Sequence, residues 1–219
     1  MKYSYVLWDF NGTLLDDVDV CLNIMNTLLK EKSMNPIDLE TYKKVFTFPV
    51  SEYYKRVGII NSDAEFNEVA HKWMNLYYEL EPTTTLHKDV LDVLNYFKDK
   101  HIKQGVLSAS RIDQLERLLK QVNINMYMDN ILGISDIYAK SKVHIGLEYI
   151  KASPYQKEEI VMIGDSVHDF EVASEMGIDC ILVANGHQSR EVLEKCGCRV
   201  LDCASELMKL DIWKGDMYE

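Results

Sequence analysis

The chain opens with an apolar run, Tyr5-Val6-Leu7-Trp8, that stops at Asp9. A run this short, bounded by polar residues, predicts a buried strand. Asn11-Gly12-Thr13 then breaks the pattern. The period changes next to three and four, so that Val18, Cys21, Leu22, Met25 and Leu29 fall on one helical face. Asn35-Pro36 and Phe48-Pro49 read as turns. From Asp63 to Leu80, the spacing of Phe66, Val69, Ala70, Trp73, Leu76 and Tyr77 predicts another helix, ended by Pro82 and Thr83 to Thr85. No strand is predicted between Asp16 and Thr83.

After Leu86 strands and helices alternate. Strands are predicted at 102–108, 130–134, 160–163, 180–183 and 199–201. Helices are predicted around Val90 to Phe97, Ile112 to Val122, Lys142 to Ile150, 168–176 with Gly177 closing it, and 189–196. Such alternation implies βαβ units and a parallel sheet, an α/β Rossmann-like doubly wound core. Residues 1–15 must rejoin residues 84–219 to complete that sheet. Residues 16–83 form an all-helical insertion after the first strand. Ligands of open α/β sheets bind at the carboxyl ends of the strands. The insertion therefore stands where a cap or lid would.

Composition narrows the partners. The 219 residues carry 24 Lys and Arg against 35 Asp and Glu, a net charge of −11. Acidity of this kind disfavours nucleic acid and anionic membranes as partners. No window approaches 18 uninterrupted apolar residues, so no membrane span is expected. The five cysteines, Cys21, Cys180, Cys196, Cys198 and Cys203, contain no Cys-x-x-Cys pair. Reduced thiols in a cytoplasmic protein are the expectation.

Three predicted strands end in polar residues: Asp9, Ser108, and Gly164-Asp165. In a parallel sheet these ends converge on one crevice. Adjacent carboxylates repel unless a cation compensates, and carboxylate and carbonyl oxygens are what Mg²⁺ prefers.

The segment Asp9-Phe10-Asn11-Gly12-Thr13-Leu14-Leu15-Asp16 resembles the first motif of the haloacid dehalogenase-like (HAD) hydrolase superfamily. Val106-Leu107-Ser108 resembles its second motif, Lys142 its third-motif lysine, and Gly164-Asp165-Ser166-Val167-His168-Asp169 its fourth. Lys140 competes with Lys142, which matches the register better. A helical insertion between the first two motifs resembles the phosphoglycolate phosphatase and β-phosphoglucomutase branch.

The resemblance implies a Mg²⁺-dependent phosphatase acting on a small phosphorylated metabolite, as a monomer or weak homodimer. It implies Asp9 as nucleophile, with an aspartyl-phosphate intermediate. Asp9, Asn11 through its carbonyl, and Asp165 would hold the metal. Gly12, Thr13, Ser108, Ala109 and Lys142 would bind the phosphoryl group, with Asp169 supporting Lys142. The insertion offers Tyr42, Phe46, Phe48, Tyr53, Tyr54, Arg56 and Trp73 for substrate selection, most of them as core of the insertion and Arg56 as an anion contact. His168 reads as a surface residue, and Arg111 as either near the crevice or in water.

One position departs from the family pattern. The superfamily's phosphatases carry a second aspartate two residues after the nucleophile, where this chain has Asn11. An amide cannot donate and recover a proton near neutral pH. Such general acid–base help is worth roughly 10²–10⁴-fold. The departure leaves open a catalytically weak protein that binds a phosphorylated ligand as a sensor or partner, and a phosphomutase.

Overall fold

The computed structural model describes residues 2–134 and 142–213. The elements run β1 (Tyr5–Trp8), β2 (Leu15–Asp16), α1 (Val18–Glu31), α2 (Leu39–Val45), α3 (Val50–Val57), α4 (Asp63–Leu80), β3 (Thr85–Leu86), α5 (Val90–Asp99) and β4 (Lys103–Arg111). They continue with α6 (Ile112–Gln121), β5 (Asn130–Ile134), α7 (Val143–Ala152), β6 (Ile160–Gly164), α8 (Val167–Met176), β7 (Asp179–Val183), α9 (Arg190–Leu193) and β8 (Arg199–Leu201).

Six strands form one parallel sheet in the order β5-β4-β1-β6-β7-β8. The first strand lies in the middle, with β4 on one side and β6 on the other. Strand order reverses there, which opens a crevice at the carboxyl ends. Alternation along the strands sorts their side chains between two faces. Val6, Trp8, Val106, Val161 and Ile163 pack against α5 and α6 residues such as Val93, Phe97, Leu115 and Leu118. Tyr5, Leu7, Leu107 and Met162 pack against Val172, Ala173 and Met176 of α8.

The helices α1 to α4 have a separate core, built around Ile24, Met25, Leu28, Tyr42, Tyr53, Tyr54 and Ile59. A two-stranded antiparallel ladder joins this block to the sheet, pairing Leu15 with Leu86 and Asp16 with Thr85. The sequence pattern gave no sign of this ladder, because two residues are too few for any periodicity. The second predicted strand also runs further than expected, to Arg111.

Contacts across the crevice are polar and aromatic. Gln188 donates from Nε2 to the Phe46 carbonyl at 2.7 Å and accepts the Val167 N–H at 2.6 Å, so one side chain spans both halves. The Ser189 N–H donates to the Lys43 carbonyl at 3.1 Å. Glu81, fully buried at the end of α4, is held by Gln114 and Arg117 of α6. No helix among the described residues is long and apolar enough to cross a membrane.

Candidate active site

Asp9 follows the last residue of the central strand, and its N–H continues the ladder to the Ile163 carbonyl at 2.8 Å. This fixes the backbone and aims the carboxylate into the crevice. Lys142, at the start of α7, is buried with its ammonium on one Asp9 oxygen. The same ammonium lies 2.7 Å from Asp169 and donates to the Leu107 carbonyl at 3.0 Å. The Thr13 hydroxyl is 3.1 Å from both Asp9 and Asp165. Of the two candidate lysines, Lys142 reaches Asp9; Lys140 lies outside the described residues.

Asp165 and Asp169 come from the end of β6 and the first turn of α8. Ser166 caps that helix by accepting the Asp169 N–H, and the Asp169 carboxylate accepts the Ser166 N–H and hydroxyl at 3.0 and 2.7 Å. The capping box thus orients Asp169 toward Lys142. The His187 N–H donates to Asp165. Close packing requires glycine at two points. Gly12 has φ +76°, and a Cβ there would come within 2.5 Å of Asp165 and His187. A Cβ on Gly186 would overlap Asp165 outright. The register of β4 against β5 shifts between Leu107 and Arg111. Such a bulge re-aims side chains, and Ser108, Ala109 and Ser110 line the crevice.

A second cluster adjoins the first. Asp17, 1% exposed, accepts the Gly12 N–H at 2.9 Å, the Asn11 amide at 2.8 Å and the Tyr77 hydroxyl at 3.0 Å. His187 Nε2 lies 3.2 Å from Asp17, and its Nδ1 is 2.8 Å from the Tyr42 hydroxyl. Asp16, the aspartate matching the motif, is exposed. The sequence analysis missed Asp17, Tyr77, Gly186 and His187. For the last two a signal existed: they follow another parallel strand, β7, whose end shares the crevice.

Burial sets the electrostatics. It pushes the Asp9 carboxyl up to about 8, with the Asp169 charge adding and Lys142 opposing. It pushes Asp165 up to about 6 against the pull of His187. Burial lowers His187, but the Asp17 carboxylate outweighs it and raises the imidazole to about 9. Asp17 and Asp169 stay below the usual carboxylate range despite burial, through His187 and Lys142 respectively. Four buried carboxylates, on Asp9, Asp17, Asp165 and Asp169, thus face two buried cations, on Lys142 and His187. Oxygens of Asp9, Asp165 and Asp169 lie within 4.8 Å of one another. A divalent cation fits both the charge deficit and the all-oxygen donor set.

The Asn11 side chain is fully engaged. Its amide donates to Asp17 and, at 2.8 Å, to the Tyr77 hydroxyl, while its carbonyl oxygen accepts from Ser110 at 2.9 Å. The amide is therefore a donor to a carboxylate, a role an ionised aspartate cannot fill. Asn11→Asp is expected to destabilise the protein by about 1–3 kcal/mol at pH 8. The new carboxylate beside Asp17 would have a raised folded-state pKa. Its penalty is absent below the unfolded value near 4 and grows as pH rises through the folded one. Urea unfolding at pH 5 and pH 8 checks this; equal stability of variant and wild type at pH 8 would refute it.

Two expectations about peripheral residues are corrected. Arg56 is exposed and does not line the cavity, because α3 turns Tyr53 and Tyr54 inward and leaves Arg56 on the solvent side. His168 is not a surface residue: its ring stacks on Phe48 at 4.8 Å and lines the cavity. Arg111 does border the cavity, with its guanidinium making two bonds to Asp113.

A parallel sheet with this order, carrying Asp9, Ser108, Lys142 and Asp165 at one crevice, defines a class. The family model for haloacid dehalogenase-like hydrolases matches residues 6–183, and the chain belongs to that family. It is 21% identical over 205 residues to a phosphoglycolate phosphatase of Synechococcus elongatus, covering 93% of this chain and 95% of that one. It is 23% identical to the pyrophosphatase PpaX of Listeria welshimeri, over 78% of each chain. Its fold matches a haloacid dehalogenase-like family hydrolase of Streptococcus pneumoniae with a TM-score of 0.81 at 18% identity, covering 94% of this chain and 97% of that one.

Proposed function

We propose that this chain is a Mg²⁺-dependent phosphatase that hydrolyses a phosphomonoester through an aspartyl phosphate, with residues 16–83 acting as a cap over residues 1–15 and 84–219. The observation that carries this reading is the Asp9 carboxylate, held by Lys142 and Thr13 at the base of a cavity closed over by helices. An Asp9 oxygen attacks phosphorus and the bond to the ester oxygen breaks, the alcohol leaving as its oxyanion and taking its proton from water. Water then attacks the phosphorus of the aspartyl phosphate, releasing inorganic phosphate and restoring Asp9. Lys142 fixes one Asp9 oxygen and places positive charge beside the transferring group. Ser108 and Ala109 line the cavity beside Asp9 and would meet the phosphoryl oxygens; Gly12 and Thr13 would act from behind, through Asp17, Asp9 and Asp165. Asp169 orients Lys142 and so acts through it.

Asp9, Asp165 and the Asn11 carbonyl would hold Mg²⁺. Mg²⁺ supplies the charge that lets two crowded carboxylates ionise and that offsets repulsion between nucleophile and phosphate. Asn11 offers no acidic proton, so esters with poor leaving groups turn over slowly.

Release of inorganic phosphate from p-nitrophenyl phosphate tests the reading. EDTA is expected to remove activity and Mg²⁺ to restore it. Full activity in chelator would overturn the metal assignment, and no phosphate release at saturating Mg²⁺ would overturn the hydrolase.

The engaged Asn11 side chain favours a second reading, a ligand-binding protein with little turnover. The nucleophile–lysine–aspartate line from Asp9 to Asp169 weighs against it, since binding alone gives no use for a positioned carboxylate.

A further inference from the structure

The cavity between the helical block and the sheet has a volume of about 200 Å³. Its sheet side is charged. Its helical side is aromatic and apolar, with Phe46, Phe48, Val50, Tyr53, Phe66 and Trp73 among its lining. Trp73 stacks on Tyr77 at 5.0 Å, and Tyr77 touches Asn11, so this wall reaches down to the carboxylates. Phe48 extends it to His168.

Charge on this lining is already taken. Lys142 is held by Asp9 and Asp169, His187 by Asp17 and Tyr42, and Arg111 by Asp113. Among the described lining residues, no buried cation is left for a second anionic group on the substrate; Arg111, at the rim, is paired at the surface with exposed Asp113. Burying an uncompensated carboxylate or phosphate against aromatic rings is strongly unfavourable. The same lining holds two buried polar atoms without a hydrogen-bond partner among the described residues, the Tyr53 hydroxyl and His168 Nε2. Buried polar groups of this kind are ordinarily paired.

We propose that the pocket selects phosphate esters whose alcohol part is a flat aromatic group, bearing a hydrogen-bonding atom and no second anionic group. The phosphate end of this assignment rests on the hydrolase reading; the aromatic end rests on the lining alone. A dry apolar cavity of ~150 Å³ holds a benzene ring, so the space suits one ring beside the phosphoryl group. The Tyr53 hydroxyl is the partner for the polar atom on that ring. Small phosphorylated acids such as phosphoglycolate are disfavoured, since their carboxylate, an anionic group besides the phosphate, would meet a wall without a buried cation to pair it.

The test pairs binding with turnover at saturating Mg²⁺. Benzylphosphonate and phosphonoacetate are titrated by calorimetry, and benzyl phosphate and phosphoglycolate are compared by kcat/KM. Both esters release alkyl-type alcohols, so leaving-group chemistry does not decide the ratio. The aromatic member of each pair is expected to lead by about 10-fold or more. Trp73→Ala and Phe48→Ala, with folding checked by circular dichroism, should shrink that lead to below about 3-fold. A 4-hydroxyl on benzylphosphonate should tighten binding in the wild type, and Tyr53→Phe should remove that gain. Equal or better use of phosphoglycolate and phosphonoacetate overturns the proposal and leaves the hydrolase standing. A benzylphosphonate preference without phosphate release even from p-nitrophenyl phosphate upholds the pocket assignment and overturns the hydrolase. Binding of neither phosphonate overturns the pocket assignment.

Discussion

Asp9→Asn is expected to lower phosphatase turnover by at least about 10³-fold while the protein stays folded. An amide cannot form the acyl phosphate, and nucleophile loss is among the largest single effects in enzymes that work through a covalent intermediate. The substitution is nearly isosteric, at the end of a central strand whose backbone bond to Ile163 does not involve the side chain. It also removes one negative charge from a cluster that contains Asp165 and Asp169. Thermal stability should therefore be unchanged or raised. The pairing of lost turnover with retained melting temperature is the signature to look for. A variant keeping more than a tenth of the wild-type rate would show that Asp9 is not the nucleophile.

Lys142→Met should cost both activity and stability. The ammonium is the shared partner of Asp9 and Asp169, all three buried. Methionine preserves much of the volume but leaves two carboxylates facing each other. Removing one member of a buried ionic group typically costs about 3–5 kcal/mol. The pH dependence has a definite sign. Without Lys142 both carboxylates have folded-state pKa values above their unfolded ones. The penalty is therefore absent near pH 3, below the unfolded value of about 3.9 where they are protonated in either state, and grows as pH rises to 8. Urea unfolding in EDTA across that range measures it. A loss independent of pH would mean that Lys142 matters through packing and its bond to the Leu107 carbonyl, not through charge.

The sequence carried the sheet well because a parallel, doubly covered strand is a continuous apolar run, as in Tyr5–Trp8 and Ile160–Gly164. It carried Asp9, Lys142 and Asp165 as candidates because each stands at a break between such a run and a helix, within a recognisable motif. Less visible were groups whose meaning depends on distant partners. Asn11 read as a missing acid when only its own motif was in view. The structure adds Asp17, Tyr77 from α4 and Ser110 from β4, and the amide becomes the donor that a buried carboxylate requires. His187 and Asp17 are 170 residues apart in sequence yet 3.2 Å apart in space, and no local pattern predicts that. Arg56 failed for the opposite reason. Its charge suggested a ligand, while the facing of a two-turn helix, set by Tyr53 and Tyr54, decided its place.

The ladder of Leu15 with Leu86 and Asp16 with Thr85 bears on how the helical block is attached. It brings the two ends of the helical block side by side, at the spacing of paired strands, ~5 Å. A two-residue hairpin turn spans that gap. Neither hydrophobic cluster of the sheet draws a buried residue from positions 17–84. The chain path of the block thus enters and leaves the sheet at one narrow seam. Side chains fasten it further, through buried Glu81 with Gln114 and Arg117 and through Asp17 with the Gly12 N–H and His187, so that removing it would strip partners from the sheet side while leaving both sheet clusters intact.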